Sequence, residues 1–352
     1  MSWYDEQVHY ARVITYSNDL GSTSEGSIEK GEQELINQSM RTISKSLGEP
    51  TSEVISFHWS NGFKDISDTR IVKTKDGSPA AVYSPLVYSP YIVAAWISKM
   101  IGLHTISTFL FLRLIGFLTV FILFLFSIRK IPFAKAALIV IALIPTVTIS
   151  FTAISADTLT YGLLFLVISQ FMSIYQKVSL SSNIKSKEII SLIICSLFLT
   201  LAKMPAFAVL ALYIPLIYIG VKNAKLSRKQ NIILGMTFIL CIISALAWYM
   251  SIKNINGNLS YYGAKNIDQS KQFAVLLAHP LRTIRVFFEN ITNFPFFDFQ
   301  LGYSDNTKWT HVPVLISLFS VIGFISSFRI RDENQSIINR EERIIYNLSS
   351  KI

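Results

Sequence analysis

Apolar residues in this chain gather in unbroken blocks instead of alternating with polar ones. Seven blocks stand out, at 107–127, 136–154, 158–176, 188–202, 205–221, 231–252 and 311–328. A helix rises about 1.5 Å per residue, so such blocks match a bilayer core of roughly 30 Å. A water-soluble core has no room for seven of them. The pattern therefore predicts an all-α integral membrane protein, a polytopic helical bundle. A further run, LVYSPYIVAAWISKMIGL at 86–103, is apolar but contains Pro90 and Lys99. It reads as an amphipathic helix lying in the membrane interface, with Tyr88, Tyr91 and Trp96 at headgroup depth. Taken as a true span, it would reverse the orientation of everything after it.

Charge fixes the orientation. The formal net charge of +10 would suit a nucleic-acid partner if the cations shared one surface. Instead they crowd the short links: Arg129, Lys130 and Lys135; Lys177, Lys185 and Lys187; Lys222, Lys225, Arg228 and Lys229. Glu188 is the only acidic residue close to them. Short basic links belong on the cytoplasmic side. That divides the chain into a first external loop at 1–106, a six-span core at 107–252, a second external loop at 253–310, a seventh span at 311–328 and a charged cytoplasmic tail at 329–352. The first 85 residues, rich in Gly, Ser and Thr, read as an irregular loop with one or two short helices such as 28–47. The second loop contains an amphipathic helix near 270–290, interrupted by Pro280. Cys195 and Cys241 both fall inside apolar blocks, which indicates neither a disulfide frame nor a metal site.

Ionisable side chains at membrane depth are expensive and mark functional sites. The candidates are the pair Asp5 and Glu6, Arg113, Asp157 in SADTL and Lys203 in LAKMP. In the orientation above, Asp5, Glu6, Asp157 and Lys203 share the external face. Each has a plainer reading: Asp157 as the cap of a helix starting at Thr158, Lys203 as a cation reaching to lipid phosphates, Asp5 and Glu6 as solvated charge. Arg113 lies inside a span, where a buried partner is expected. Spacing alone leads to an external polar pocket at a membrane surface and to no particular reaction.

Several segments carry a resemblance: YDEQVHYAR, YSPLVYSPYIVAAWISKMIGLHTISTFLFLRLIG, SADTL, LAKMP and AHPLRTIRVFF followed by LGYSDNTKWTHVPVL. Their order over nearly the whole chain resembles the bacterial domain-of-unknown-function family 2142 of membrane proteins. That family is similar to the C-type membrane glycosyltransferases (GT-C fold), which include protein mannosyltransferases. The resemblance implies an enzyme of cell-envelope glycan assembly in the bacterial plasma membrane. Its donor would be a polyprenyl-phosphate-linked sugar, its acceptor a polysaccharide or lipid, with no nucleic-acid partner. Asp5 corresponds to the catalytic base, while Glu6, His9, Arg12 and Tyr83 correspond to substrate-binding positions. Asp157 corresponds to a second acidic position, Lys203 to a cation for the lipid-linked phosphate and Arg113 to a structural tie. No cofactor is specified, although a divalent cation serves some relatives of this fold. Family members carry a span before the acidic pair and further spans beyond the end seen here, so spans are expected to be missing at both ends. Two rival readings share these residues: a flippase for lipid-linked glycan, and an inactive structural partner in a polysaccharide assembly complex.

Overall fold

A computed structural model describes residues 6–21, 26–45, 68–74, 78–179, 184–222, 226–258 and 269–293. The chain divides into two compact units, 1–132 with 149–258, and 133–148 with 259–352. The described residues are overwhelmingly helical, as expected of an all-α membrane protein.

In the first unit, three helices are long and apolar enough to cross a bilayer: α4 (Thr105–Lys130), α7 (Ala156–Ser179) and α10 (Arg228–Asn258). In α7, 67% of the most apolar window is buried within the protein, against 22% in α4 and 17% in α10. The central helix is therefore α7, while α4 turns Phe121, Ile122 and Leu125 outward and α10 turns Ile239, Ile243 and Leu246 outward. Those faces suit lipid, because apolar side chains gain nothing from water. Helix α8 (Ser186–Ala202) folds back against α7, and a Lys177–Glu188 ion pair closes the hairpin. At the same end, Lys130 of α4 donates to the Ser191 hydroxyl of α8 at 3.4 Å.

Two of the apolar blocks are not single helices. Block 136–154 is split into α5 (Lys135–Ala142) and α6 (Pro145–Thr152). Pro145 has no N–H for the Ile141 carbonyl; the amide of Ile144 donates to it instead, at 3.2 Å. Block 205–221 begins as a 3-10 helix, Met204–Leu212, and becomes α9 (Tyr213–Lys222) only afterwards. Hydrophobicity marked these residues as buried or lipid-facing, but it carries no information on helix continuity.

The amino-terminal residues form more structure than an irregular loop. Helix α1 (Glu6–Asn18) is buried along most of its length although its composition is polar. Strands β1 (Gly26–Glu29) and β2 (Ile71–Thr74) pair antiparallel, with Gly26 opposite Thr74 and Glu29 opposite Ile71. Helix α2 (Lys30–Lys45) follows β1 directly, close to the 28–47 read from sequence. A Cβ at Gly26 would lie 2.2 Å from Thr15 Oγ1, so β1 rests directly on α1.

Two 3-10 turns, Ser78–Val82 and Pro85–Tyr88, lead into α3 (Ser89–Met100). Of its three aromatic anchors only Trp96 is exposed; Tyr88 and Tyr91 are buried in the protein. Trp96 donates through Nε1 to the Ser17 carbonyl at 2.8 Å, and Lys99 donates to Ser17 Oγ at 2.9 Å. The helix read as floating in the interface is thus strapped across the end of α1. Its outer residues, Val93, Ile97 and Met100, remain exposed.

The second unit contains α5, the start of α6, α11 (Gln269–Ala278) and α12 (Pro280–Asn293). The helix expected near 270–290 is therefore two helices that meet at His279. The seventh block, 311–328, and the tail, 329–352, lie outside the described residues.

Close approach of α3 to α4 depends on a missing side chain. A Cβ at Gly116 would fall 2.4 Å from Tyr91 Cε1, and the Tyr91 ring is pinned by its hydroxyl's bond to the Ala153 carbonyl at 2.9 Å. Gly116→Ala should lower stability by about 1–3 kcal/mol through overpacking. Gly235→Ala, where a Cβ would meet nothing within 4 Å, should be neutral or stabilising. Thermal unfolding of the two variants in detergent checks this.

Candidate functional site

The site is assembled where the amino end of α1, the turn before α7 and the end of α8 come together. Its anchor is Glu6. This side chain is completely buried, which an anion tolerates only when paired and hydrogen-bonded. Both needs are met: Oε1 accepts from Arg113 Nε at 2.7 Å and from the Ile154 amide at 2.9 Å, and Oε2 accepts from Arg113 Nη2 at 2.5 Å. The two-pronged arginine contact fixes orientation as well as charge. Arg113 also lies over the Phe109 ring, 4.9 Å from its centroid. The partner expected for this intramembrane arginine is thus a residue near the chain's beginning.

One turn further along α1, His9 enters a wall of tyrosines. Its Nδ1 lies 2.5 Å from the Tyr88 hydroxyl, and its ring is tilted against Tyr83 and Tyr88 at centroid distances of 5.6 and 5.8 Å. Burial pushes the imidazole down to about 4, with Lys203 adding to the effect and Asp157 and Glu6 opposing it. His9 is therefore neutral at physiological pH and acts as a hydrogen-bonding group. Its electrostatic neighbours show that His9, Asp157, Lys203 and Glu6 occupy one neighbourhood. Burial likewise raises the Tyr88 hydroxyl well above its ordinary value.

Asp157 and Lys203 form the accessible part. They make an ion pair with side chains 30% and 29% exposed. Asp157 does not cap its own helix: the Ser155 hydroxyl accepts from the Asp157 amide at 3.1 Å, which frees the carboxylate to face Lys203. Lys203, at the end of α8, points its ammonium toward the Tyr83 ring, 5.8 Å from the centroid. Burial disfavours its charge, but the charge and hydrogen bond of Asp157 outweigh burial and raise the ammonium above its ordinary value. Neither plain reading of these residues, helix cap or lipid-seeking cation, describes the pair.

The remaining positions sit differently. Arg12 is 1% exposed, its guanidinium stacked over Tyr16 at 3.9 Å. Tyr16 in turn donates to the Tyr83 carbonyl at 3.2 Å, which ties α1 to the turn that carries Tyr83. Asp5 lies outside the described residues. Sequence reasoning missed the Ile154 amide, Tyr16 and the contact of Tyr88 with His9. Only the Tyr-Ser-Pro-Leu turn at 83–86 hinted at the tyrosine wall. Among the described residues no three His, Cys, Asp or Glu side chains are grouped to hold a metal ion, so no step is assigned to a divalent cation.

The family model described as "Predicted membrane protein (DUF2142)" matches residues 1–352. No curated protein and no solved structure matches the chain.

Two predictions follow from the buried charges. Glu6→Gln removes the buried charge that faces Arg113 and should cost about 3 kcal/mol, whereas the double variant Glu6→Gln/Arg113→Met should cost less than the sum of the two single changes. A double-mutant cycle of thermal unfolding measures the difference. The second concerns pH. His9 has a folded-state value below its ordinary 6.5, so the unfolded chain binds the proton first and stability falls between pH 6.5 and about 4. Glu32, buried at the start of α2, is pushed by burial from 4.5 up to about 7, so the folded chain binds that proton first and stability rises as pH falls from 7 to 4.5. Each effect has a ceiling of about 3 kcal/mol. Compared with wild type, His9→Gln should gain relative stability on acidification and Glu32→Gln should lose it. Parallel unfolding curves for the three proteins would refute both assignments.

Proposed function

The chain belongs to the DUF2142 family of predicted membrane proteins, and on that footing we propose that it is a glycosyltransferase of cell-envelope glycan assembly, multi-pass in the bacterial plasma membrane. It transfers a sugar from a polyprenyl-phosphate donor to a polysaccharide or lipid acceptor at the external membrane face.

The observation that carries this reading is the half-exposed Asp157–Lys203 pair beside His9 and Tyr83. Glycosyl transfer from a lipid phosphate requires a cation for the departing phosphate and a base for the incoming hydroxyl. Lys203 is a cation restrained by a carboxylate that a phosphate oxygen can replace, and Tyr83 offers an aromatic face to a sugar ring. The pair stands at the end of α7 and α8 opposite the Lys177–Glu188 hairpin, which supports the external assignment.

By the family resemblance the base role is that of Asp5; both Glu6 oxygens are held by Arg113 and the Ile154 amide, which leaves Glu6 a structural part. In the proposed step the acceptor oxygen attacks the anomeric carbon and its proton passes to the Asp5 carboxylate. The bond from the anomeric carbon to the phosphate oxygen breaks, and polyprenyl phosphate departs with the electron pair, its charge facing Lys203. Glu6 and Arg113 keep α1 in place throughout.

Incorporation of radiolabelled sugar from polyprenyl-phosphate donor tests this in membranes of a deletion strain that carries the wild type or a variant. Asp5→Asn should lower the rate about 10²–10⁴-fold, and Lys203→Met about 10²–10³-fold. Full activity of Asp5→Asn would overturn the assignment of the base. If deletion leaves incorporation unchanged and strands lipid-linked glycan on the inner leaflet, the protein is a flippase instead.

A further inference from the structure

Among the described residues of the second unit, helices α11 and α12 bear a run of uncovered apolar side chains. Phe273, Val275, Leu276, Leu277, Leu281 and Ile284 are each between 48% and 81% exposed. A contiguous patch of that kind is unfavourable in water and marks a surface made for lipid or a partner.

Neither helix can cross a bilayer. At ten and fourteen residues they extend only about 15 and 21 Å, and Pro280 separates them. A break in a helix is normally a liability in an apolar medium, because unpaired backbone groups cannot turn to water. Here it is repaired. Pro280 lacks the N–H that would serve the Leu276 carbonyl, and Thr283 Oγ1 lies 3.0 Å from that carbonyl and 3.0 Å from the carbonyl of His279. The amides of His279 and Thr283 donate to Val275 and His279 at 3.1 and 2.9 Å, so the chain bends with its hydrogen bonds kept.

Charge selects the occupant. Over α11 and α12 the sequence contains Lys271, Arg282 and Arg285 against one acidic residue, Glu289. On α12, Arg282 follows Leu281 and Arg285 follows Ile284, so each cation flanks the apolar stripe. An apolar stripe edged by cations is complementary to a bilayer surface rich in acidic headgroups. We infer that α11 and α12 form a bent clip that lies in the membrane interface and docks on acidic phospholipid. This inference does not depend on the transferase reading; it concerns how the second unit is held at the bilayer.

The test uses the full chain with Cys195 and Cys241 replaced by Ala. Single nitroxide labels are placed by Phe273→Cys, Leu277→Cys, Ile284→Cys or Arg282→Cys. Each protein is reconstituted into vesicles of equal parts phosphatidylcholine and phosphatidylglycerol. Labels at 273, 277 and 284 should be relaxed several-fold more by dissolved oxygen than by a water-soluble nickel chelate, and the label at 282 should show the reverse. In pure phosphatidylcholine, or with Arg282→Glu added, the oxygen preference at 284 should fall several-fold. Equal chelate access at all four positions would overturn the proposal. An oxygen preference that ignores lipid charge would refute docking on acidic phospholipid. Two labelled sites on each helix guard against misfolding of a single variant.

Discussion

A carboxylate with no access to solvent must be held on every side, and Glu6 is held by two elements far away in the chain. Arg113 comes from the third turn of α4, and the Ile154 amide comes from the turn before α7. One side chain thereby fixes α1 against α4 and against the start of the central helix. The positions of His9, Asp157 and the tyrosine turn all refer back to those three elements. Replacement of the pair by apolar residues of similar volume would cost little energy, since burying two charges is itself expensive. What the pair supplies is register: a guanidinium accepts a carboxylate in one plane and at one distance. An apolar contact would let α1 slide by a fraction of a turn and carry His9 away from Tyr88.

The two ends of the bundle are chemically unlike. At one end, Lys130, Lys177 and Lys185 lie near one carboxylate, Glu188, which pairs with Lys177. That end pairs Glu188 with Lys177 and carries cations in excess. At the other end positive and negative groups balance locally, as Glu6 with Arg113 and Asp157 with Lys203. A balanced, partly open ion pair can exchange partners at small cost, whereas an excess of one sign cannot. This contrast between ends is what makes one of them a plausible seat for chemistry and the other an anchor.

How much of this was legible in the sequence depended on the range of the forces involved. The long helices α4, α7 and α10 were, because an apolar run is a local property. The break before Pro145 and the 3-10 stretch from Met204 were hidden, since the apolar pattern continues unchanged through both. Helix α1 was unreadable for a different reason: it is buried while polar, and Glu6 and His9 find their partners, Arg113, the Ile154 amide and Tyr88, far away in the chain. The individual site residues Glu6, Asp157 and Lys203 were visible as ionisable candidates, and His9 through the family resemblance. Their pairing was not, because whether Asp157 caps a helix or holds Lys203 turns on the orientation of Ser155. Tyr88 and Tyr91 were misplaced by the same logic, for an aromatic with a polar tip suits a headgroup layer and a protein interior equally well.

The short ladder between β1 and β2 has a consequence for how this protein tolerates change. Its strands bring Gly26 beside Thr74, and the pairing is extended by the amides of Lys30 and Gly31, which donate to Arg70 and Asp68 at 2.8 Å. The stretch between is therefore a closed excursion, tied at its base and hung from α1. Closing such an excursion depends only logarithmically on its length, so doubling it costs about 0.6 kcal/mol. That tolerance does not extend to α2, which buries Glu32 and Ile36 against the rest of the first unit.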